Sequence, residues 1–183
     1  MEKAKNKYET WDWMKALFIA IALAFIIRTF LFSPIVVDGA SMQPTLQSHD
    51  RMIVTKIGEP KRFDIVVFHS PTESKDYIKR VIGLPGDRIE FKDDTLYIND
   101  IPFDEPYLEE LKQDVMGPLT GTFTLRETAV GSDVVPEGHL FVLGDNRPYS
   151  KDSREIGAIP IEQVVGTTNI VFYPFNEMKI IDK

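Results

Sequence analysis

Residues 16–37 read ALFIAIALAFIIRTFLFSPIVV, and 18 of these 22 positions are apolar, the exceptions being Arg28, Thr29, Ser33 and Pro34. A helix of roughly 20 residues, rising about 1.5 Å per residue, spans the hydrocarbon core of a bilayer. Three readings compete for the segment: an uncleaved membrane anchor, a removable secretory leader, and the buried helix of a soluble protein. The uninterrupted run 16–27 is 12 residues long, within the range of a leader's apolar stretch. An arginine at mid-bilayer is expensive, but Arg28 lies past the middle of the segment and can snorkel to the interface. Trp11 and Trp13 suit the aromatic belt at the entry side. Lys3, Lys5, Lys7 and Lys15 precede the segment, and no Lys or Arg lies between Arg28 and Arg51. That asymmetry favours the anchor with its N-terminus in the cytoplasm and the bulk of the chain outside.

Either side of this segment the composition divides. Residues 1–15 carry a net charge of +1, whereas 38–183 hold 16 Lys and Arg against 25 Asp and Glu, a net −9. The whole chain of 183 residues averages this to −7. An acidic globule argues against nucleic-acid binding, which needs a basic footprint. The absence of cysteine excludes a disulfide framework, a Cys-based zinc site and a thiol nucleophile. Hydrophobic content of 43% permits a packed core.

The exterior part reads as mostly β. Pro34 cannot continue a helix, and Ile35-Val36-Val37 looks extended. Short β-type runs follow at 51–57, 64–69, 76–84, 88–91, 95–98, 140–143 and 166–173, separated by Gly, Pro, Asn and Asp punctuation. Asn99-Asp100 between 95–98 and 101–103 predicts a hairpin. Only 106–113 (PYLEELKQ) looks helical. Segment 90–114 is strongly acidic, and roughly 88–138 reads as a small β-rich insertion. The expected organisation is a cytoplasmic leader at 1–15, an anchor at 16–37, and a catalytic domain at 38–183 that carries the insertion.

Inventory narrows the chemistry. His49, His69 and His139 have no metal-ligand spacing, and no phosphate-cradling glycine loop or GxSxG elbow occurs. Neither a metal nor a cofactor is expected. Three segments stand out. In 38–46 (DGASMQPTL), Ser41 sits among small residues where a substrate backbone could approach; a plain turn is the alternative. In 76–87 (DYIKRVIGLPGD), a strand would put Tyr77, Lys79 and Val81 on one face and Ile78, Arg80 and Ile82 on the other. If the first face is buried, desolvation lowers the lysine pKa, and a neutral lysine can activate a serine without histidine. A lysine snorkelling from a sheet edge is the alternative. In 144–154 (GDNRPYSKDSR), a glycine-started turn gathers charges and hydroxyls, with a solvated loop as the alternative.

Together these segments resemble the type I signal peptidases, membrane-bound enzymes that cut signal peptides from exported preproteins. The similarity covers most of the chain: the anchor, SMQPTL at 41–46, RFDIVVF at 62–68, YIKRVIGLPGD at 77–87 and GDNRPYSKDSREIG at 144–157. It implies a largely β catalytic domain, associated with the membrane surface, in which Ser41 is the nucleophile and Lys79 the general base. It also implies that Ser150 hydrogen-bonds the lysine and that Asp152, with Arg154 or Arg80, forms a salt-bridged support. Ile35, Val37, Tyr77 and Ile78 are the candidate walls of a substrate pocket. In the Gram-negative form of the family, a serine two positions before the nucleophile donates to the oxyanion hole. Gly39 stands there in this chain, as in the Gram-positive type. The Ser41 N–H is then the main expected donor, with water or the Gly39 backbone as the second. The implied partners are signal peptides and membrane lipid; oligomeric state is left open. Soluble self-cleaving repressors share such a Ser/Lys core, but the anchor and the −9 exterior oppose that alternative. So do intact Ser41 and Lys79 oppose a catalytically dead, membrane-tethered signal-peptide binder.

Overall fold

A computed structural model describes residues 2–182, with side chains from residue 10 onward. The chain starts with α1 (Glu2–Ile26), which continues into a π turn over Ile27–Leu31. The stretch Thr10–Leu31 has a mean hydropathy of 2.1 and is long and apolar enough to cross a membrane. The helical segment ends at Leu31, three residues before Pro34. The Phe32 N–H still bonds back to the Ile27 carbonyl, and from there the chain enters β1 (Phe32–Val36), which pairs antiparallel with β2 (Arg51–Thr55). Pro34 is tolerated there because β1 ends the strand order and needs to donate on one side only.

The remaining strands are β3 (Ile65–His69), β4 (Asp76–Gly83), β5 (Ile89–Lys92), β6 (Thr95–Ile98), β7 (Ile101–Phe103), β8 (Phe123–Thr124), β9 (His139–Leu143), β10 (Ile159–Pro160), β11 (Val164–Tyr173) and β12 (Lys179–Ile180). They form two antiparallel sheets. The larger runs β1-β2-β11-β3-β4-β9-β10, with β12 added to β11; the smaller runs β7-β6-β5-β8. The hairpin at Asn99-Asp100 turns with both residues at positive φ (53° and 66°), the geometry that matches strand twist. The expected helix near 106–113 is a 3₁₀ turn followed by α2 (Glu109–Asp114). β8, β10 and β12 were not anticipated, because two-residue strands leave no periodic pattern.

β4 is central. Its neighbours are β3, with Val66 opposite Lys79, and β9, with Leu143 opposite Arg80. Both faces of β4 are covered. Tyr77 and Val81 join Phe68, Leu140, Val142 and Ile159 in one apolar cluster. On the other face, Ile82 joins Ile89, Phe91, Leu96, Ile98 and Phe141, which ties the smaller sheet to the larger. A third cluster of Val37, Met42, Leu46, Met52, Ile65 and Val171 lies under the loop that follows β1.

The smaller sheet is also docked by charge. Arg147 is buried and donates to the Glu105 carboxylate through both terminal nitrogens, and to Thr120 Oγ1 at 3.1 Å. The Tyr107 ring lies 3.8 Å from the Arg80 guanidinium carbon, and its hydroxyl donates to Glu105 Oε1 at 2.7 Å. Burial pushes the Tyr107 phenol well above its usual range, so it stays a neutral donor. Removing one partner of a buried ion pair strands the other charge in low dielectric. Glu105→Ala is therefore expected to destabilise the protein by about 3–5 kcal/mol in denaturant unfolding. Asp133→Asn, which breaks the exposed Arg126–Asp133 pair, should leave the midpoint unchanged.

Candidate active site

The register of the large sheet assembles the site. Leu143 lies opposite Arg80, so the turn that leaves β9 at Gly144 falls beside Lys79 and Arg80 on β4. The loop after β1 approaches from the other side. Met42 and Leu46 are buried and pin it to the core. The Asn146 N–H donates to the Ser41 carbonyl at 3.0 Å, and Asn146 Nδ2 to the Ala40 carbonyl at 3.0 Å. The Thr45 hydroxyl bonds Asp145. Residues about one hundred positions apart in sequence are thereby held in one turn-on-turn contact.

Within this contact, Lys79 Nζ lies 2.7 Å from Ser41 Oγ and donates to the Ile78 carbonyl at 2.9 Å. Lys79 is only 4% exposed, and the Tyr77 ring lies 5.1 Å from its Nζ. Burial lowers the Lys79 pKa to about 8, against the opposing pull of the Asp152 and Asp145 carboxylates. A lysine so placed is partly neutral near physiological pH. With one N–H given to the Ile78 carbonyl, its lone pair can face the serine.

Ser41 and Lys79 open onto a cleft of about 550 Å³. Ile35, Val37, Tyr77 and Ile78 all line it, as do Gly39 and the exposed Tyr149. The Tyr77 hydroxyl donates to Glu73 Oε1 at 2.6 Å. Lys75, Tyr77 and Lys151 together hold the Glu73 carboxyl down to about 2. Gly39 has φ +97°, a backbone conformation that disfavours any side chain. Its N–H donates to Ser48 Oγ at 3.4 Å.

Of the expected supporting contacts, Asp152 pairs with Arg154, one of the two arginines expected for it, whereas Ser150 does not meet Lys79. Arg80 does not reach Asp152. It makes a two-pronged pair with Asp145, Nε to Oδ1 at 2.9 Å and Nη2 to Oδ2 at 2.7 Å, with both side chains buried. Arg80 lies on the opposite face of β4 from Lys79, and Asp145 is the carboxylate that the β9 register presents to it. Asp152 pairs with Arg154 instead, at 2.8 Å through each oxygen, and accepts the Gly144 N–H at 3.0 Å. Ser150 does not bond Lys79. Its hydroxyl is buried without a partner among the described residues and packs on Gly144. Among the described residues no group of three or more acidic or histidine side chains is placed to hold a metal ion.

The residues 10–173 match the family model described as signal peptidase, peptidase S26. The chain belongs to that family. It is 48% identical over 183 residues to signal peptidase I of Bacillus caldolyticus, covering 97% of each chain. It is 41% identical over 181 residues to signal peptidase IB of Staphylococcus aureus strain Mu50, covering 94% of each. A crystal structure of a signal peptidase I from Enterococcus faecalis V583 superposes with a TM-score of 0.59 at 46% identity, covering 61% of this chain and 97% of that one. The mostly β fold with one apolar N-terminal helix is thus a signal-peptidase fold, and the protein is a peptidase S26 enzyme.

Sequence reading missed Asp145, Asn146, Gly144 and Glu105. Gly144 had a local signal, the glycine that opens the turn, but its reason is tertiary. A Cβ there would overlap the Ser41 carbonyl oxygen and the Ser150 hydroxyl. Gly144→Ala is expected to push the Ser41 loop away from Lys79 and lower peptidase kcat about a hundredfold, the scale for a displacement of about 1 Å at a reacting group. A near-unchanged far-UV spectrum and melting point, measured alongside, separate misplacement from unfolding.

Proposed function

We propose that this chain is a membrane-bound serine endopeptidase that removes signal peptides from exported preproteins by a Ser41/Lys79 dyad. The observation that carries the reading is the 2.7 Å approach of a buried, pKa-lowered amine to a serine hydroxyl in a cleft lined by both apolar and charged side chains. Family membership supports the substrate class, since relatives named signal peptidase match over nearly the whole chain.

Neutral Lys79 takes the Ser41 proton as Oγ attacks the carbonyl carbon after the last signal-peptide residue. The Ser41 N–H, to which no acceptor is assigned among the described residues, is positioned to bond the oxyanion. Gly39 is a weaker candidate for the second donor, because its N–H already faces Ser48. The C–N bond then breaks, Lys79 returns its proton to the leaving amine, and the signal peptide stays esterified to Ser41. A water that gives its proton to Lys79 hydrolyses the ester. The buried Ser150 hydroxyl is an acceptor held in reserve for the ammonium that forms in these steps. Asp152 and Arg154 brace its loop.

The substrate fits extended along β1, which has a free edge at the end of the sheet and carries Ile35 and Val37 into the cleft. Small residues at the first and third positions before the cut suit a pocket narrowed by Tyr77 and Ile78. The apolar helix that leads into β1 places the enzyme in the same bilayer as the preprotein's own apolar segment. Its N-terminus lies in the cytoplasm and the catalytic domain outside, as the flanking lysines require.

Ser41→Ala and Lys79→Ala should each abolish cleavage of a signal-peptide substrate while leaving the melting point near that of the parent; wild-type turnover in either removes the assignment. The base must be neutral, so kcat/KM should rise with pH through a midpoint near the Lys79 value of about 8. A midpoint at the free-lysine value of about 10.4 contradicts a buried base. Protease added to intact cells lacking walls should digest 38–183, and protection of that region overturns the orientation.

A further inference from the structure

No linker separates the apolar helix from the catalytic sheet. The π turn ends at Leu31 and β1 begins at Phe32. Only nine residues separate Leu31 from Ser41. The tilt and depth of the helix are therefore passed along β1, through Ile35 and Val37 in the cleft wall, to the nucleophile loop. What makes the junction stiff is the capture of the helix's last carbonyls. A helix leaves its final carbonyls without intrahelical partners, and at the edge of the hydrocarbon such groups are costly to expose. Lys56, one residue past β2, takes two of them: its Nζ donates to the Thr29 carbonyl at 3.0 Å and its N–H to the Leu31 carbonyl at 3.0 Å. The Ser33 hydroxyl donates to the Arg28 carbonyl at 3.3 Å. Phe32 then pairs with Thr55, so the elbow closes directly into the ladder of β1 and β2.

We propose that Lys56 is a positioning residue that locks the exit of the anchor onto β2 and so sets the height of Ser41 above the bilayer. The long apolar stem of a lysine can lie along the interface while its ammonium reaches the carbonyl. The widened π turn over Ile27–Leu31, a form that recurs at functional points of helices, is the geometry that turns the Thr29 carbonyl outward to meet it. A substrate embedded in the same membrane presents its cut site at a set height and depends on this lock. A short soluble peptide does not. The inference rests on the membrane and dyad readings of the preceding subsection.

The test uses the full chain in vesicles of phosphatidylethanolamine and phosphatidylglycerol, with two substrates: a preprotein inserted in the same vesicles, and a soluble peptide spanning the cut. Lys56→Met keeps the stem and removes the donor. Its kcat/KM on the inserted preprotein should fall about tenfold, the scale of one lost hydrogen bond from a charged group. Its rate on the soluble peptide should stay with the parent's, and Lys56→Arg should restore the first activity. Equal losses on both substrates, or no loss on either, overturn the proposal. Release of the parent chain from the vesicles by alkaline carbonate removes the anchor, and the lock with it. Cleavage of the soluble peptide by Ser41→Ala removes the dyad without touching the Lys56 split.

Discussion

Lys79 gives up nearly all of its water, and an ammonium so placed loses hydration that nothing beside it fully replaces. Much of the large sheet answers to that constraint. The amine sits on an interior strand, walled by β3 and β9, with an aromatic ring at 5.1 Å and the serine hydroxyl at 2.7 Å. The nearby carboxylates of Asp152 and Asp145 moderate the shift without pairing with the amine, for each is already engaged by an arginine. An acid free to approach Lys79 would favour its charged form and oppose the lowering of its pKa.

The pairing of Arg80 with Asp145 follows from the same placement. Burying Lys79 on one face of β4 buries its neighbour on the other, and an uncompensated guanidinium there would be far more costly than a paired one. Asp145 neutralises it, and the same turn carries Asn146 to the Ser41 carbonyl and brings Thr45 into hydrogen bond. The smaller sheet completes the enclosure, with Tyr107 over Arg80 and Glu105 on Arg147, whose Nε holds the Gly144 carbonyl at 3.1 Å. The acidic insertion is thus coupled to the nucleophile turn through a short chain of buried charges.

The apolar helix, β1, the cleft wall and Ser41 succeed one another within a short stretch of chain, so bilayer attachment and substrate alignment are parts of one element. Under the proposed function, that continuity gives the edge of β1 its use: an extended peptide arriving from the same membrane would meet backbone donors and acceptors already oriented toward it.

Local physics wrote much of this protein legibly into its sequence. The apolar run dictates a membrane-length helix, the Asn99-Asp100 pair a tight hairpin, and the residues around Lys79 a strand, whose burial on both faces only the structure supplied. The motifs at 41–46, 62–68, 77–87 and 144–157 marked the family. Pro34 set the latest point at which the helix could stop; tertiary structure fixed the end at Leu31, where pairing with β2 takes over. It alone gave Arg80 to Asp145 rather than to Asp152, turned the Ser150 hydroxyl onto Gly144, and made Glu105 a buried anchor inside an acidic stretch that reads as solvated. For the two buried arginine pairs, Arg80–Asp145 and Arg147–Glu105, the reason is the same. A charged side chain takes the partner that strand register delivers, and register between segments 40 or more residues apart is set by packing of the whole sheet, which no local pattern encodes.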